Sequence, residues 1–106
     1  MKPIEPVTLD DIRAAWRRAT GVAIRTQLIR INVDDAPRAG RSLADVAEAI
    51  RLMVERNHVL AEGAGAALVA AALAGKADGA NVACVVSGGN IDADKLATIL
   101  EGGVPE

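Results

Sequence analysis

The sequence predicts an α/β domain, with helices packed on a small parallel sheet, and three observations predict it. Val82-Ala83-Cys84-Val85-Val86 is an unbroken apolar run rich in β-branched residues and flanked by turn formers, the pattern of a strand buried on both faces of a parallel sheet. A helical stripe follows at once through Leu96, Ile99 and Leu100, with the Asp92 carboxylate placed to accept from the free amides of the first turn. Upstream, Leu43 to Val54 and Ala64 to Ala74 are apolar at helical spacing.

A chain of 106 residues is large enough for one domain with a buried core. Its residues are 51% hydrophobic but only 1% aromatic, so the core must be built from Ala, Val, Leu and Ile. The net charge of -2, with both signs interspersed, offers no basic field to nucleic acid or to an anionic membrane surface. Cys84, the single cysteine, has no intrachain partner and lies in the apolar run, where it reads as a buried inert thiol; no metal site is expected. The amino-terminal residues lack the apolar core of a signal peptide, and no apolar run reaches the ~18 residues of a membrane helix. These features predict a cytoplasmic protein.

The first helix should open at Thr8, because Thr8-Leu9-Asp10-Asp11 follows capping-box logic and places acids at the positive helix terminus. Leu9, Ile12, Trp16 and Ala19 share one face, on which Trp16 is expected to be the buried anchor, and Gly21 ends the helix. Residues Val22 to Val33 look extended, with imperfect alternation, and suit one or two short strands. Asp34 to Arg41 reads as a loop containing Pro37 and Gly40. The adjacent acids Asp34 and Asp35 lack a histidine or third carboxylate nearby in sequence and read as solvated loop residues rather than an acid–base or metal pair.

Ser42-Leu43-Ala44-Asp45 repeats the capping logic, and Leu43, Val46, Ala47, Ile50, Met53 and Val54 trace the stripe of a second helix. Arg51 can pair with Glu48 and Glu55 on its outer side. His58, the only histidine, has no partner that would make it a base or ligand and reads as structural. Glu62-Gly63-Ala64-Gly65-Ala66 then leads into a helix apolar nearly all round, which needs cover on most sides. Gly63 and Gly65 permit close packing at its start, and Glu62 is a carboxylate held there. After the expected strand, Ser87-Gly88-Gly89-Asn90 lacks side-chain bulk at two positions. By spacing alone it reads first as a tight turn, and second as a place where backbone amides and the Ser87 hydroxyl approach a ligand. The tail from Glu101 should fray. A lone apolar strand needs neighbours on both edges, and the chain offers only one or two weaker ones, so it reads as incomplete by itself.

The order and spacing of Glu62-Gly-Ala-Gly-Ala and Val85-Val86-Ser87-Gly88-Gly89-Asn90-Ile91-Asp92 resemble the carboxyl-terminal part of the pyridoxal-phosphate-dependent serine/threonine dehydratases of fold type II, which include threonine ammonia-lyase and serine racemase. Val7-Thr8-Leu9-Asp10-Asp11-Ile12 and Arg25-Thr26-Gln27-Leu28 resemble the family's opening helix and Arg-Thr-Pro-Leu segment, with Gln27 in place of proline. The resemblance divides the chain at residue 30: residues 1–30 match the family's start and 31–106 its end, together forming one domain. The catalytic centre between them is missing. Ser-x-Lys-x-Arg-Gly with the Schiff-base lysine, the Ser-x-Gly-Asn-His substrate loop and the glycine tetrad for the cofactor phosphate are all absent.

The resemblance implies a partial three-layer fold and a truncated or internally deleted relative of enzymes that convert hydroxy amino acids by β-elimination to a 2-oxo acid and ammonia. It implies cofactor contact at Ser87, whose hydroxyl would face the pyridine nitrogen, at Gly88 and Gly89, and at Glu62 near the ring. No catalytic residue carries over, since Lys76 and Lys95 lack the family's lysine context. The chain alone is expected to be inactive. The alternative is a non-catalytic module that self-associates through the apolar Ala64–Ala74 helix or pairs with a full-length dehydratase.

Overall fold

The structure is a computed structural model and describes residues 3–32, 42–79 and 81–106. Its elements are the helices α1 (Leu9–Ala19), α2 (Leu43–Asn57), α3 (Gly63–Leu73) and α4 (Ala93–Leu100), which make up 48% of the described residues. No strand or sheet forms among those residues, which overturns the predicted α/β class and the partial three-layer arrangement. Residues 82–86 instead lie against α3 as an unpaired segment, with Cys84 and Val86 half-buried and Val82 and Val85 exposed. The physical reason is pairing. An apolar run becomes a strand only where neighbours satisfy its backbone N–H and C=O groups, and no second strand borders it among the described residues.

The expected strands in residues 22–32 fail in the same way. Val22, Ile24 and Leu28 are almost fully exposed, and the single bridge in this region joins Thr20 to Ala23. The expected loop from Asp34 to Arg41, with Asp34 and Asp35, and the end of the extended stretch at Val33 lie outside the described residues.

Helix α1 begins as its sequence predicts. The Asp11 carboxylate accepts from the Thr8 hydroxyl at 2.6 Å and the Thr8 N–H at 2.9 Å, while the Asp11 N–H donates to the Thr8 hydroxyl at 3.2 Å. Gly21, at φ +94°, follows the helix. The expected burial of Trp16 is wrong, however: α1 has no buried residue and packs on no other helix among those described, leaving Trp16 60% exposed. An apolar stripe locates a face that favours cover but does not supply the cover.

The core is centred on α2, which packs against α3 on one side and α4 on another. At the start of α2 the Asp45 carboxylate accepts from the Ser42 N–H at 2.6 Å and its hydroxyl at 2.9 Å. The buried cluster comprises Ala47, Ala49, Ile50 and Met53 of α2, Ala61, Ala66, Val69 and Ala70, and Ile99 of α4. Alanine dominates it, so the backbones approach closely and little area is buried per residue. Outside the cluster, Arg51 pairs with Glu48 at 2.7 Å and, more loosely, with Glu55 at 3.8 Å. Helix α3 buries only Gly65, Ala66, Val69 and Ala70, so the all-round cover expected for it is absent; Ala67, Leu68 and Ala71 face outward. The radius of gyration is 16.6 Å, against ~13 Å for a compact chain of this length. This openness reflects the amino-terminal third, which adds little to the core.

Candidate functional site

The helix α2 ends so as to deliver Glu62. His58 adopts a left-handed conformation (φ 54°, ψ 36°), and its N–H donates to the Val54 carbonyl at 3.2 Å while Val59 donates to Met53 at 3.0 Å. The backbone of His58 thus closes the helix. The reversed chain passes through buried Ala61 to Glu62, the N-cap residue of α3. Asn57 fastens the corner, its side-chain oxygen accepting from the Asn32 N–H at 2.7 Å.

Against this helix start lies the turn from Ser87 to Asn90. The Glu62 N–H donates to the Gly88 carbonyl at 2.9 Å, which satisfies one of the free donors at the amino end of α3. The approach is closer than side chains allow. A β-carbon on Gly65 would meet the Gly88 carbonyl oxygen at 2.8 Å, and one on Gly89 would meet the Leu60 carbonyl oxygen at 2.8 Å. A β-carbon on Gly88 would lie 2.7 Å from Oε1 of Glu62. Upstream, Val86 lies over Gly65, and the Cys84 thiol donates to the Leu68 carbonyl at 3.6 Å. Residues 84–89 therefore run antiparallel to the chain from Leu68 back to Leu60, with backbone against backbone at Gly88 and Gly89.

Three of the residues singled out for cofactor contact, Glu62, Gly88 and Gly89, are thus brought together, Glu62 and Gly88 half-buried and Gly89 exposed. Ser87 is in the same turn but exposed, and among the described residues its hydroxyl makes no hydrogen bond. Asp92 is the N-cap residue of α4, as expected, although its side chain makes no capping bond.

A cleft of ≈ 320 Å³ adjoins Glu62. Its apolar wall includes Val46, Ile50, Ile91 and Ile99; its polar groups are Glu62, Asn90, Asp92 and Lys95. Ser87, Gly88 and Gly89 do not line it. Val104 and Pro105 do, because the tail folds back after Gly102 (φ +89°), with the Gly103 N–H donating to the Thr98 carbonyl at 2.9 Å. Sequence reasoning missed this cleft. Val104-Pro105, an apolar pair beyond a glycine turn, was the signal that the tail returns to the core.

The chain is 37% identical over 94 residues to the L-threonine ammonia-lyase of Thermotoga maritima, covering 81% of this chain and 23% of that enzyme. It is 37% identical over 65 residues to the catabolic L-threonine dehydratase TdcB of Staphylococcus aureus, strains N315 and Mu50, covering 57% of this chain and 19% of each enzyme. The chain is similar to a part of the threonine dehydratases. It spans about a fifth to a quarter of the length of these curated relatives. No family model and no solved structure matches it. No helix among the described residues is long and apolar enough to cross a membrane.

Proposed function

We propose that this chain is a dehydratase-related segment that supplies one wall of a pyridoxal-phosphate pocket and does not catalyse β-elimination by itself. The packing of the Gly88-Gly89 turn on the Glu62–Gly65 helix start carries this reading, in a chain similar to L-threonine ammonia-lyase along 81% of its length. The glycines let the turn dock tightly on the helix start, and that docking sets Ser87 and Glu62, the two polar residues a cofactor ring would meet, along one edge of the chain.

The residues present do not fit the complete cofactor. Oε1 of Glu62 already occupies the space beside Gly88, and the adjoining cleft opposes two carboxylates, Glu62 and Asp92, to one ammonium, Lys95. That balance disfavours a phosphate dianion. The Schiff-base lysine motif is also absent from the sequence. A working site would draw its lysine and phosphate cradle from another dehydratase chain or from further sequence.

The test is to mix the chain with pyridoxal phosphate, reduce with borohydride and map modified lysines by mass spectrometry, while assaying L-threonine for oxo-acid formation. Scattered or absent modification without turnover is the expected result. Stoichiometric modification of Lys76 or Lys95 together with oxo-acid formation would overturn the proposal and make the chain a minimal enzyme.

A second reading, a non-catalytic interaction module that self-associates or pairs with a full-length dehydratase, is favoured by the apolar side chains left exposed on α1. Molar mass by light scattering across a concentration series tests it, and a concentration-independent monomer, alone or with that enzyme, would count against it.

A further inference from the structure

Burial alternates along residues 83–87: Cys84 and Val86 are half-buried, while Ala83, Val85 and Ser87 are exposed, which is the period of an extended strand. The inward pair lies on α3, Cys84 at the Leu68 carbonyl and Val86 over Gly65. Among the described residues, no backbone N–H or C=O of residues 82–87 makes a hydrogen bond. The Gly88 carbonyl, next along the chain, is taken by the Glu62 N–H at 2.9 Å. In an extended chain residues two apart share an edge. Val82, Cys84 and Val86 therefore line the edge toward Glu62, and Ala83, Val85 and Ser87 the free edge opposite. Strand edges that stay in water are guarded by charge, proline or a bulge. This one is unguarded, since the chain has no charged residue and no proline between Asp78 and Asp92.

We propose that an extended segment of a threonine dehydratase chain adds as a strand to the edge formed by Ala83, Val85 and Ser87. A row of alternating N–H and C=O groups is satisfied in full only by another extended backbone. The inference rests on the reading of this chain as one wall of a pocket, and it names the surface by which the other chain docks. A second copy is the poorer donor, because it too lacks the Schiff-base lysine motif. This chain spans 23% of the L-threonine ammonia-lyase of Thermotoga maritima, so most of a dehydratase remains to supply the strand. The free edge ends at Ser87, in the turn docked on Glu62, so a strand added there delivers the other chain to the wall. Its residues beside Cys84 and Val86 should be apolar and uncharged, to match the α3 side of the segment.

The probe is the Thermotoga maritima enzyme itself, mixed with this chain. Sedimentation should show a complex, and hydrogen exchange read by mass spectrometry at single amides should show Ala83, Val85 and Ser87 exchanging freely in the chain alone and slowly in the complex. Val85→Pro removes the central N–H of that edge and should weaken the complex about tenfold or more. Its far-UV circular dichroism should be unchanged, because Val85 is exposed and outside every helix. Val85→Thr keeps the N–H and should bind as the parent does.

A complex in which these three amides still exchange freely, or one that survives Val85→Pro, would overturn the proposal. So would the absence of any complex; the wall reading is decided separately, by cofactor labelling of the chain alone. Protection that appears without the enzyme and rises with the mass of a dimer would give the edge to a second copy. Protection already present in a monomer would give it to another part of the same chain, and either result would overturn the dehydratase strand.

Discussion

Replacing Gly65 by alanine tests the packing at the site most sharply, because two known effects oppose each other there. In an exposed helix interior, glycine to alanine stabilises by up to about 1 kcal/mol. At Gly65 the added carbon would lie 2.8 Å from the Gly88 carbonyl oxygen, 3.3 Å from its nitrogen and 3.4 Å from Cγ1 of Val86. The nearest of these is backbone, so relief requires the whole turn to move, and that motion also stretches the 2.9 Å bond from the Glu62 N–H to the same carbonyl. Overpacking of this kind costs about 1–3 kcal/mol and loss of the bond a further ~0.5–1.5 kcal/mol. After subtracting the helical gain, Gly65→Ala should destabilise by about 2 kcal/mol, a fall in Tm on the order of 10 °C for a chain this size. Gly63→Ala is the control in the same helix, since its nearest neighbour would be Cγ1 of Val46 at 4.0 Å. It should be neutral or slightly stabilising. Urea or thermal unfolding followed by circular dichroism reads both, and a Gly65→Ala protein as stable as Gly63→Ala would refute the docked turn.

The same contacts rank the turn glycines: Gly89→Ala, which meets the Leu60 carbonyl, should cost more in urea unfolding than Gly88→Ala, which meets only the movable end of Glu62. Met53 is the largest fully buried side chain, and Met53→Ala should cost about 2–5 kcal/mol, enough to abolish cooperative unfolding in a domain whose total stability is of that order. His58→Gly removes the strain of a left-handed non-glycine residue and should raise the unfolding midpoint by about 1 kcal/mol equivalent. The Asp11 carboxyl, held below its ordinary 3.8 chiefly by the Thr8 hydroxyl and then by the Thr8 N–H, contributes stability that is present above that value and lost as pH falls through its lower folded value. Its carbon-detected NMR titration should show a midpoint below 3.8 that rises in Thr8→Ala; a midpoint unmoved by that change would sink the assignment.

What the sequence revealed was local. The caps at Thr8 and Ser42, the α2 stripe from Val46 to Val54 and the close packing permitted by Gly65 rest on spacing and steric bulk, which a sequence displays directly, whereas the clearance expected at Gly88-Gly89 for a ligand is taken up by Glu62 and Leu60. Its failures concerned partners. Residues 82–86 have the composition of a buried strand, and Trp16 that of a buried anchor, but both outcomes depend on a second surface that the described residues do not supply. Ser87 stands exposed in the turn that follows this segment. The cleft beside Glu62 was hidden because its walls come from α2, α4 and the returning tail, which lie far apart in sequence.

Nuclear Overhauser contacts between the Gly65 α-protons and the Gly88 amide in the isotopically labelled full chain test the central claim most directly. The docked turn predicts a cross-peak, since a β-carbon built on Gly65 would lie 3.3 Å from the Gly88 nitrogen. A spectrum that retains contacts between α2 and α3 but has none from Gly65 to Gly88 would contradict it, and would leave Glu62 without the wall proposed here.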